Sequence, residues 1–460
     1  MNSKEYALHY KDEMIRAIRS LVAIRSVRQD ALEGMPFGKG CADALEEALS
    51  IAESLGFPTV NMENYAGYAE MGEGEDLIGI LCHVDVVPEG DGWVHDPFDV
   101  QIADGKLYGR GVCDDKGPAM IALYAMKIIK DMGIPIRKRV RLVFGTNEES
   151  GSKCMEYYRG KEGGFTMGFS PDADFPLIFG EKGNFSAVLR GEVNQGDEIR
   201  LCELSGGEAK NVVAPFCRCV LEGQNERLRQ TETAFQLFVS EYEMTCRTIC
   251  ADGTLALELD GVSAHASLPE QGKNAISYMI LFLADILPHS PFLCGYRDLI
   301  AAEYDGTSCG VKCEDGYGSL TLNIGLIALH GNEAEATMDI RYPITVDFTP
   351  YAQEIQKRFA AKRIAMHDIR IGKPLYVDPQ SPLVRTLYSA YAEVTGDTMN
   401  KPVTIGGGTY AKSFDNVVAF GIEFPGDDNR IHMSDEVLSI DRLLTATQIY
   451  VSAILKLLEL

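Results

Sequence analysis

Basic residues are scarce in this chain: 43 lysines and arginines stand against 67 aspartates and glutamates, a formal net charge of −24. Nucleic acids and anionic membranes are bound through basic surfaces, so neither is expected as a partner. Long hydrophobic runs are missing, which excludes a membrane-spanning helix. Behind Met1-Asn2-Ser3-Lys4-Glu5-Tyr6 there is no apolar region of a signal peptide, so a cytoplasmic location is expected. The twelve cysteines include a C-x-C pair at Cys217/Cys219 and C-x-x-x-C pairs at Cys246/Cys250 and Cys309/Cys313, but no C-x-x-C. That spacing makes no zinc finger, and a chain of 460 residues needs no disulfide staples, so reduced thiols are expected. No G-x-x-x-x-G-K-[ST] loop for nucleotide phosphates occurs. What remains is ordinary globular composition, 46% hydrophobic and 24% charged, with length for two or three domains.

The stretch Leu77-Ile78-Gly79-Ile80-Leu81-Cys82-His83-Val84-Asp85 begins as an apolar run, suited to a strand buried on both faces, and ends in two polar residues. His83 and Asp85, two apart on extended chain, point to one side. One can ligate a metal while the other buttresses it, because a ligating imidazole gives its second N–H to a carboxylate or carbonyl. Before it, residues 4–25 carry Tyr6, Leu8, Met14, Ile15, Ile18, Leu21, Val22 and Ile24 at helical spacing, and Cys41 to Leu55 reads as a second helix closed by Gly56. Tyr68 to Gly72, followed by Gly74-Glu75-Asp76, reads as a hairpin turn into the Leu77 strand.

After it, Val112-Cys113-Asp114-Asp115-Lys116-Gly117-Pro118 leads into a helix from about Ala119 to Met132. N-capping would account for one aspartate but not obviously for both. The strand Val140–Gly145 is followed by Asn147-Glu148-Glu149-Ser150-Gly151, and the apolar Phe165–Ser170 run by Pro171-Asp172-Ala173. Neighbouring carboxylates are costly unless solvated, paired or metal-bound. His83, Asp114, Glu148/Glu149 and Asp172 therefore all lie at ends of strand-like runs in a βαβ-rich region, and ligands of α/β sheets bind outside the carboxyl ends of strands. Histidine with several carboxylates suits zinc or manganese rather than a thiolate site.

His83-Val84-Asp85, Gly109-Arg110-Gly111-Val112-Cys113-Asp114-Asp115-Lys116-Gly117, Asn147-Glu148-Glu149-Ser150-Gly151 and Pro171-Asp172-Ala173 resemble, in order, the signature blocks of one metallopeptidase family of aminoacylases, glutamate-releasing carboxypeptidases, desuccinylases and dipeptidases. In detail the chain is most similar to its bacterial PepV-type dipeptidases. The resemblance implies an α/β fold, a catalytic domain with a central, mostly parallel sheet flanked by helices, interrupted by a large α+β lid domain. It implies two divalent cations, zinc or else manganese or cobalt, with Asp114 shared between them. His83 and Asp172 would hold one, Glu149 and His432 the other. Glu148 would be the general base acting on a water that bridges the metals, and Asp85 would orient His83. Two-metal sites lower the pKa of a water to make a nucleophile near neutral pH, and an adjacent carboxylate can pass its proton to the leaving amine.

Strand alternation at Phe185–Glu192 and Thr254–Val262, with helical segments at Asn274–Ile286 and Tyr351–Lys362, marks an insert. Domain bounds of 1–182 and 374–460 for the catalytic part and 183–373 for the lid are expected. In the lid, the Gly261-Val262-Ser263-Ala264-His265 block resembles the family's oxyanion histidine. Arg341 resembles the arginine that holds the substrate carboxylate, and Asn211 a further lid contact. A lid of the long kind implies a monomer that uses its own His265. Gly406-Gly407-Gly408 lets backbone N–H groups approach an anion, and the resemblance assigns Gly407 and Gly408 to the substrate. His9, His95, His289, His330 and His367 match no motif and are taken as structural. The expected activity is metal-dependent hydrolysis of dipeptides with a free C-terminal carboxylate. The alternatives are an N-acyl amino-acid amidohydrolase on the same site and a non-catalytic relative that binds peptide or metal.

Overall fold

The computed structural model describes residues 1–460 apart from Gln195 and Asp197. The chain divides into two compact units, Met1–Glu181 with Leu375–Leu460, and Lys182–Pro374.

The first unit opens with α1 (Ser3–Val22), whose start is fixed by a capping box between Asn2 and Glu5. Its buried stripe runs through Ala7, Tyr10, Met14, Ile18 and Leu21. Leu8, expected on that stripe, is 62% exposed because it lies one position round from Ala7. Next come α2 (Lys39–Ser54), β1 (Thr59–Met62), β2 (Ala66–Met71), β3 (Leu77–His83), β4 (Gln101–Ala103), β5 (Lys106–Tyr108), α3 (Lys116–Asp131), β6 (Arg139–Gly145), α4 (Lys153–Glu162) and β7 (Met167–Ser170). A 9-stranded sheet begins β1-β2-β6-β3-β7 and continues through Val417–Ala419, Ile178–Glu181 and Leu375–Tyr376, with Val403–Ile405 branching from Ile178–Glu181.

The sheet is mixed. Its central strands β6, β3 and β7 and the neighbouring Val417–Ala419 are parallel, whereas β1 and β2 at one margin are antiparallel. All seven residues of β3 are buried. A strand apolar on both faces belongs in the middle of a sheet covered by helices. This corrects the hairpin expected before it. β2 does turn back at Gly72 and Gly74, both at positive φ, but it pairs with β1 and β6, and β6 stands between it and β3. The turn residues signalled a reversal of the chain, not which strand would lie alongside. The helix Ile440–Glu459 packs with α1 and α3. All twelve cysteines are free thiols.

In the second unit an 8-stranded antiparallel sheet runs Thr245–Ala251, Thr254–Asp260, Phe216–Glu222, Arg200–Gly206, Thr321–His330, Glu333–Tyr342, Gly183–Glu192, Ala365–Gly372. Gly183–Glu192 alternates buried and half-buried residues, as a strand with one covered face must. The helices Asn225–Glu241, Ala275–Ile286, Pro291–Leu299 and Thr349–Ala361 contribute Phe235, Ile280, Phe292 and Ile355 to the same core. Among the described residues no helix is long and apolar enough to cross a membrane.

Candidate metal centre

The parallel order β6-β3-β7 sets the carboxyl ends of three strands side by side. His83 is the last residue of β3 and pairs with Gly145, the last of β6. Glu148 and Glu149 therefore follow just beyond, and Asp172 lies two residues past the end of β7. Asp114 comes from the loop between β5 and α3, and His432 from the loop before Val437–Ser439. Adjacent strands are about 4.8 Å apart, so side chains at three neighbouring ends fall within reach of one another.

The carboxylate of Asp114 stands between two imidazoles. Its Oδ1 is 2.9 Å from His83 Nε2 and its Oδ2 is 2.9 Å from His432 Nε2. Asp172 Oδ2 lies 3.7 Å from His83 Nε2, and Glu149 Oε1 lies 3.1 Å from His432 Nε2. Donor atoms of His83, Asp114 and Glu149 all lie within 4.8 Å of one another, as do those of His83, Glu148 and Asp172. The structure thus brings together Asp114, His83, Asp172, Glu148, Glu149 and His432.

Asp85 meets His83 through its main chain and has a second contact through its carboxylate. His83 Nδ1 is 2.9 Å from the main-chain carbonyl of Asp85, whereas the Asp85 carboxylate is 3.5 Å away. A carbonyl only accepts, so Nδ1 donates and Nε2 is left facing the carboxylates. The Asp85 carboxylate accepts the backbone N–H groups of Glu148 at 3.0 Å and Glu149 at 3.2 Å. It ties the loop after β6 to the loop after β3. Those glutamates lie in a turn rather than on extended chain.

Capping explains neither aspartate of the Asp114-Asp115 pair. Asp115 occupies the N-cap of α3 without a side-chain capping bond; its Oδ2 accepts the N–H of His83 at 3.0 Å. Sequence reasoning left Asp115 without a role and passed over two more residues here. Tyr410 brings its hydroxyl to Cys154 Sγ at 2.9 Å, and its ring stands nearly perpendicular to that of His83, centroids 6.1 Å apart. A Cβ at Gly145 would collide with that hydroxyl, so β6 must end in glycine. Glu436, fully buried, accepts backbone N–H groups of the Asp114 loop. The only sequence signal for it was an acidic residue directly before the apolar Val437-Leu438. His95, taken as structural, pairs through Nδ1 with Asp435 Oδ1 at 3.0 Å and steadies the His432 loop.

So many carboxylates at one point crowd negative charge. Burial, then Asp114, pushes Glu149 up to about 7. Burial, then Asp114, pushes Asp172 up to about 6. Burial, then Asp172, pushes Glu148 well above the ordinary range. Burial works against a charged His432 ring, but Asp114 and Glu149 outweigh it and raise that ring to about 11. For Asp114, burial is outweighed by the bonds to His432 and His83, and its carboxyl lies below the ordinary range. Two imidazoles and four carboxylates, with no thiolate among them, fit a pair of divalent cations chemically, and cations would relieve the crowding.

A pH dependence follows for metal-stripped protein. Between pH 5 and 8 the folded state holds protons on Glu149, Asp172 and His432 that the unfolded chain has begun to release. Stability therefore falls as pH rises through that window. The depressed Asp114 acts the other way only below about pH 4, outside it. Metal-stripped protein should lose several degrees of Tm between pH 5 and 8. The gain in Tm on adding zinc or manganese should grow over the same range, since binding displaces protons. Thermal melts at constant ionic strength check this; a metal-free Tm that climbs from pH 5 to 8 would refute it.

In the second unit Asn211 and His265 are neighbours. Val212 and His265 form an isolated bridge, and the Ala266 N–H donates to the Asn211 carbonyl at 2.9 Å. Thr321 Oγ1 donates to the Ala266 carbonyl at 3.3 Å, and Thr321 pairs with Arg341 across the sheet. All three predicted residues of this unit thus gather at one end of its sheet. His265 Nδ1 is 2.7 Å from Ser267 Oγ. Arg341 is held through Nε and Nη2 by both oxygens of Asp339, at 2.7 and 2.9 Å. Gly407 and Gly408 follow the strand Val403–Ile405, neither at positive φ. A tight left-handed turn is therefore not what glycine serves there. The adjoining Thr409 is anchored by N–H and hydroxyl to the buried Glu181.

Comparison with known proteins agrees with this geometry. The model of peptidase family M20/M25/M40 matches residues 79–456. A Bacillus subtilis protein named "Putative dipeptidase YtjP" is 38% identical over 99% of this chain and 100% of its own length. A Staphylococcus haemolyticus protein, SH1171, with the same dipeptidase designation, is 34% identical over 99% of each chain. Among solved structures, human carnosine dipeptidase 1 superposes with a TM-score of 0.63 at 14% identity, covering 100% of this chain and 98% of that one. The yeast dipeptidase Dug1p gives 0.59 at 14% identity, covering 100% and 98%. The chain belongs to peptidase family M20/M25/M40.

Proposed function

We propose that this family member is a two-cation dipeptidase acting on substrates with a free C-terminal carboxylate. The observation that supports it most is Asp114, whose two oxygens each meet one imidazole at 2.9 Å, the arrangement a shared ligand needs. His83 and Asp172 would hold one cation, and Glu149 and His432 the other. When bound, zinc, or manganese or cobalt in its place, would supply Lewis-acid charge and a more acidic water. Glu148 takes the proton of the attacking water and returns it to the leaving amine. The Asp85 carboxylate holds the backbone of both glutamates, and its carbonyl fixes the tautomer of His83. The reading gives His265 a hydrogen bond to the developing oxyanion. It gives the substrate carboxylate to Arg341, preset by Asp339, with Asn211 and the Gly407-Gly408 backbone as further contacts. The chain works as a monomer with its own His265, in the cytoplasm. Dipeptidase names among full-length relatives favour this substrate class over acylated amino acids.

A hydrolysis panel tests the reading. Metal-stripped enzyme is refilled with zinc, manganese or cobalt and given dipeptides, tripeptides, N-acetyl amino acids and dipeptides amidated at the C-terminus. Free dipeptides should be cleaved fastest. Amidation removes one charge-assisted hydrogen bond and should lower kcat/KM about 10- to 100-fold. Preference for N-acetyl amino acids over free dipeptides would transfer the assignment to the amidohydrolases.

A further inference from the structure

The loop that carries Asp114 has no regular structure, yet its carboxylate must be held between two imidazoles. One buried side chain organises it. Glu436 Oε1 accepts the N–H groups of Cys113 at 2.8 Å and Asp114 at 3.1 Å. Both its oxygens lie 3.1 Å from the Gly111 N–H. Oε2 also takes Arg110 Nη1 at 2.8 Å, and the Glu436 carbonyl accepts the Gly109 N–H at 3.1 Å. Residues 109–114 are thus wrapped round one carboxylate that has no access to solvent. Buried charge survives only where such donors compensate it.

The stretch from His432 to Glu436 is held by other contacts. Val437 pairs with Tyr108 in the short sheet of β4, β5 and Val437–Ser439, which places Glu436 against Gly109. His432 lies four residues earlier, and the intervening Asp435 accepts the N–H groups of Val94 and His95 at 3.1 and 3.0 Å. His432 and Asp435 both have positive φ, so this stretch follows a defined, tightly wound path. Glu436 thus anchors the Asp114 end of the Asp114–His432 contact, and Asp435 the stretch that carries His432.

We propose that Glu436 is the positioning residue that holds Asp114 between His83 and His432 and so supports the cation positions on both sides. It touches neither substrate nor cation. The inference rests on the two-cation reading. Its conjugate experiment is cobalt titration of metal-stripped protein, followed by visible absorption, beside kcat and KM for a dipeptide. In Glu436→Gln an amide N–H₂ replaces one acceptor and faces the N–H donors of Arg110 or Cys113. Because Asp114 faces both imidazoles, both cobalt equivalents should bind about 10- to 100-fold more weakly than in wild type, the usual cost of losing an outer partner of a ligand. The visible spectrum of the bound cobalt should change, and kcat should fall with KM nearly constant. Glu436→Asp, a methylene short of reaching all three N–H groups, should weaken both equivalents by less. Leu45→Ala, a truncation in the core under α2, should lower Tm while leaving both equivalents and the spectrum intact. Wild-type affinity for both equivalents and a wild-type spectrum in either folded Glu436 variant would overturn the inference, whatever its Tm. A wild-type protein that takes up one equivalent only would overturn the two-cation reading, and this inference with it.

Discussion

Glu148→Gln should lower kcat for dipeptides by about 10²- to 10⁴-fold, the range that a positioned general base contributes. KM and cation content should stay near wild type. The glutamine is isosteric, and the Glu148 contact that holds the loop is its backbone N–H to Asp85, which the change leaves alone. What disappears is an acceptor for the proton of the attacking water. In metal-free protein, burial, then Asp172, raises the Glu148 carboxyl, and bound cations would offset that rise and leave it ionised to accept the proton. Steady-state kinetics with a metal assay on the same sample checks this. The metal assay separates two roles, because donor atoms of His83, Glu148 and Asp172 stand within 4.8 Å of one another. A variant that loses activity together with a cation would make Glu148 a ligand. A variant with unchanged kcat would remove it from the chemistry.

The sequence exposed those parts of the fold and site that local chemistry determines. β3 could be placed at the centre because seven consecutive buried residues need cover on both faces. His83, Asp114, Glu148, Glu149 and Asp172 stood out because each follows an apolar segment in a βαβ-like region, where carboxylates are otherwise expensive. Long-range pairing was less legible. Nothing in the Gly72–Asp76 turn shows that β6 separates β2 from β3, since that depends on which strand fills the gap after the chain has travelled round α3. The second job of Asp85 was not legible for a related reason: its carboxylate serves backbone groups more than sixty residues away, while its carbonyl takes the local bond to His83. Glu436 was invisible as a functional residue because all its partners but Arg110 are main-chain N–H groups, which have no signature in a sequence.

Asp114→Asn should abolish dipeptide hydrolysis, a loss of about 10⁴-fold or more, if the several kcal/mol of Lewis-acid stabilisation at a two-metal site go with it. The carboxylate offers one oxygen to each imidazole side. An amide offers one oxygen and one donor. Its N–H₂ would give a hydrogen bond to His83 or His432 Nε2 and so occupy the lone pair that a cation needs. One position loses its shared anion and the other its imidazole, so stoichiometric cation uptake should fail at both. That distinguishes Asp114→Asn from Glu149→Gln, which removes a partner of His432 alone and should spare uptake on the His83 side. In metal-free protein the change should also cost stability above about pH 4, because the bonds to His432 and His83 hold the Asp114 carboxyl below its ordinary range. A negative charge leaves a crowded cluster, so the rise that Asp114 imposes on Glu149 and Asp172 shrinks, and with it the loss of Tm between pH 5 and 8. Metal analysis by cobalt titration, with melts at both pH values, reads the two effects separately. Retention of two cations and measurable turnover in Asp114→Asn would show that this carboxylate is not shared, and the arrangement of the centre would have to be redrawn around Glu149 and Asp172.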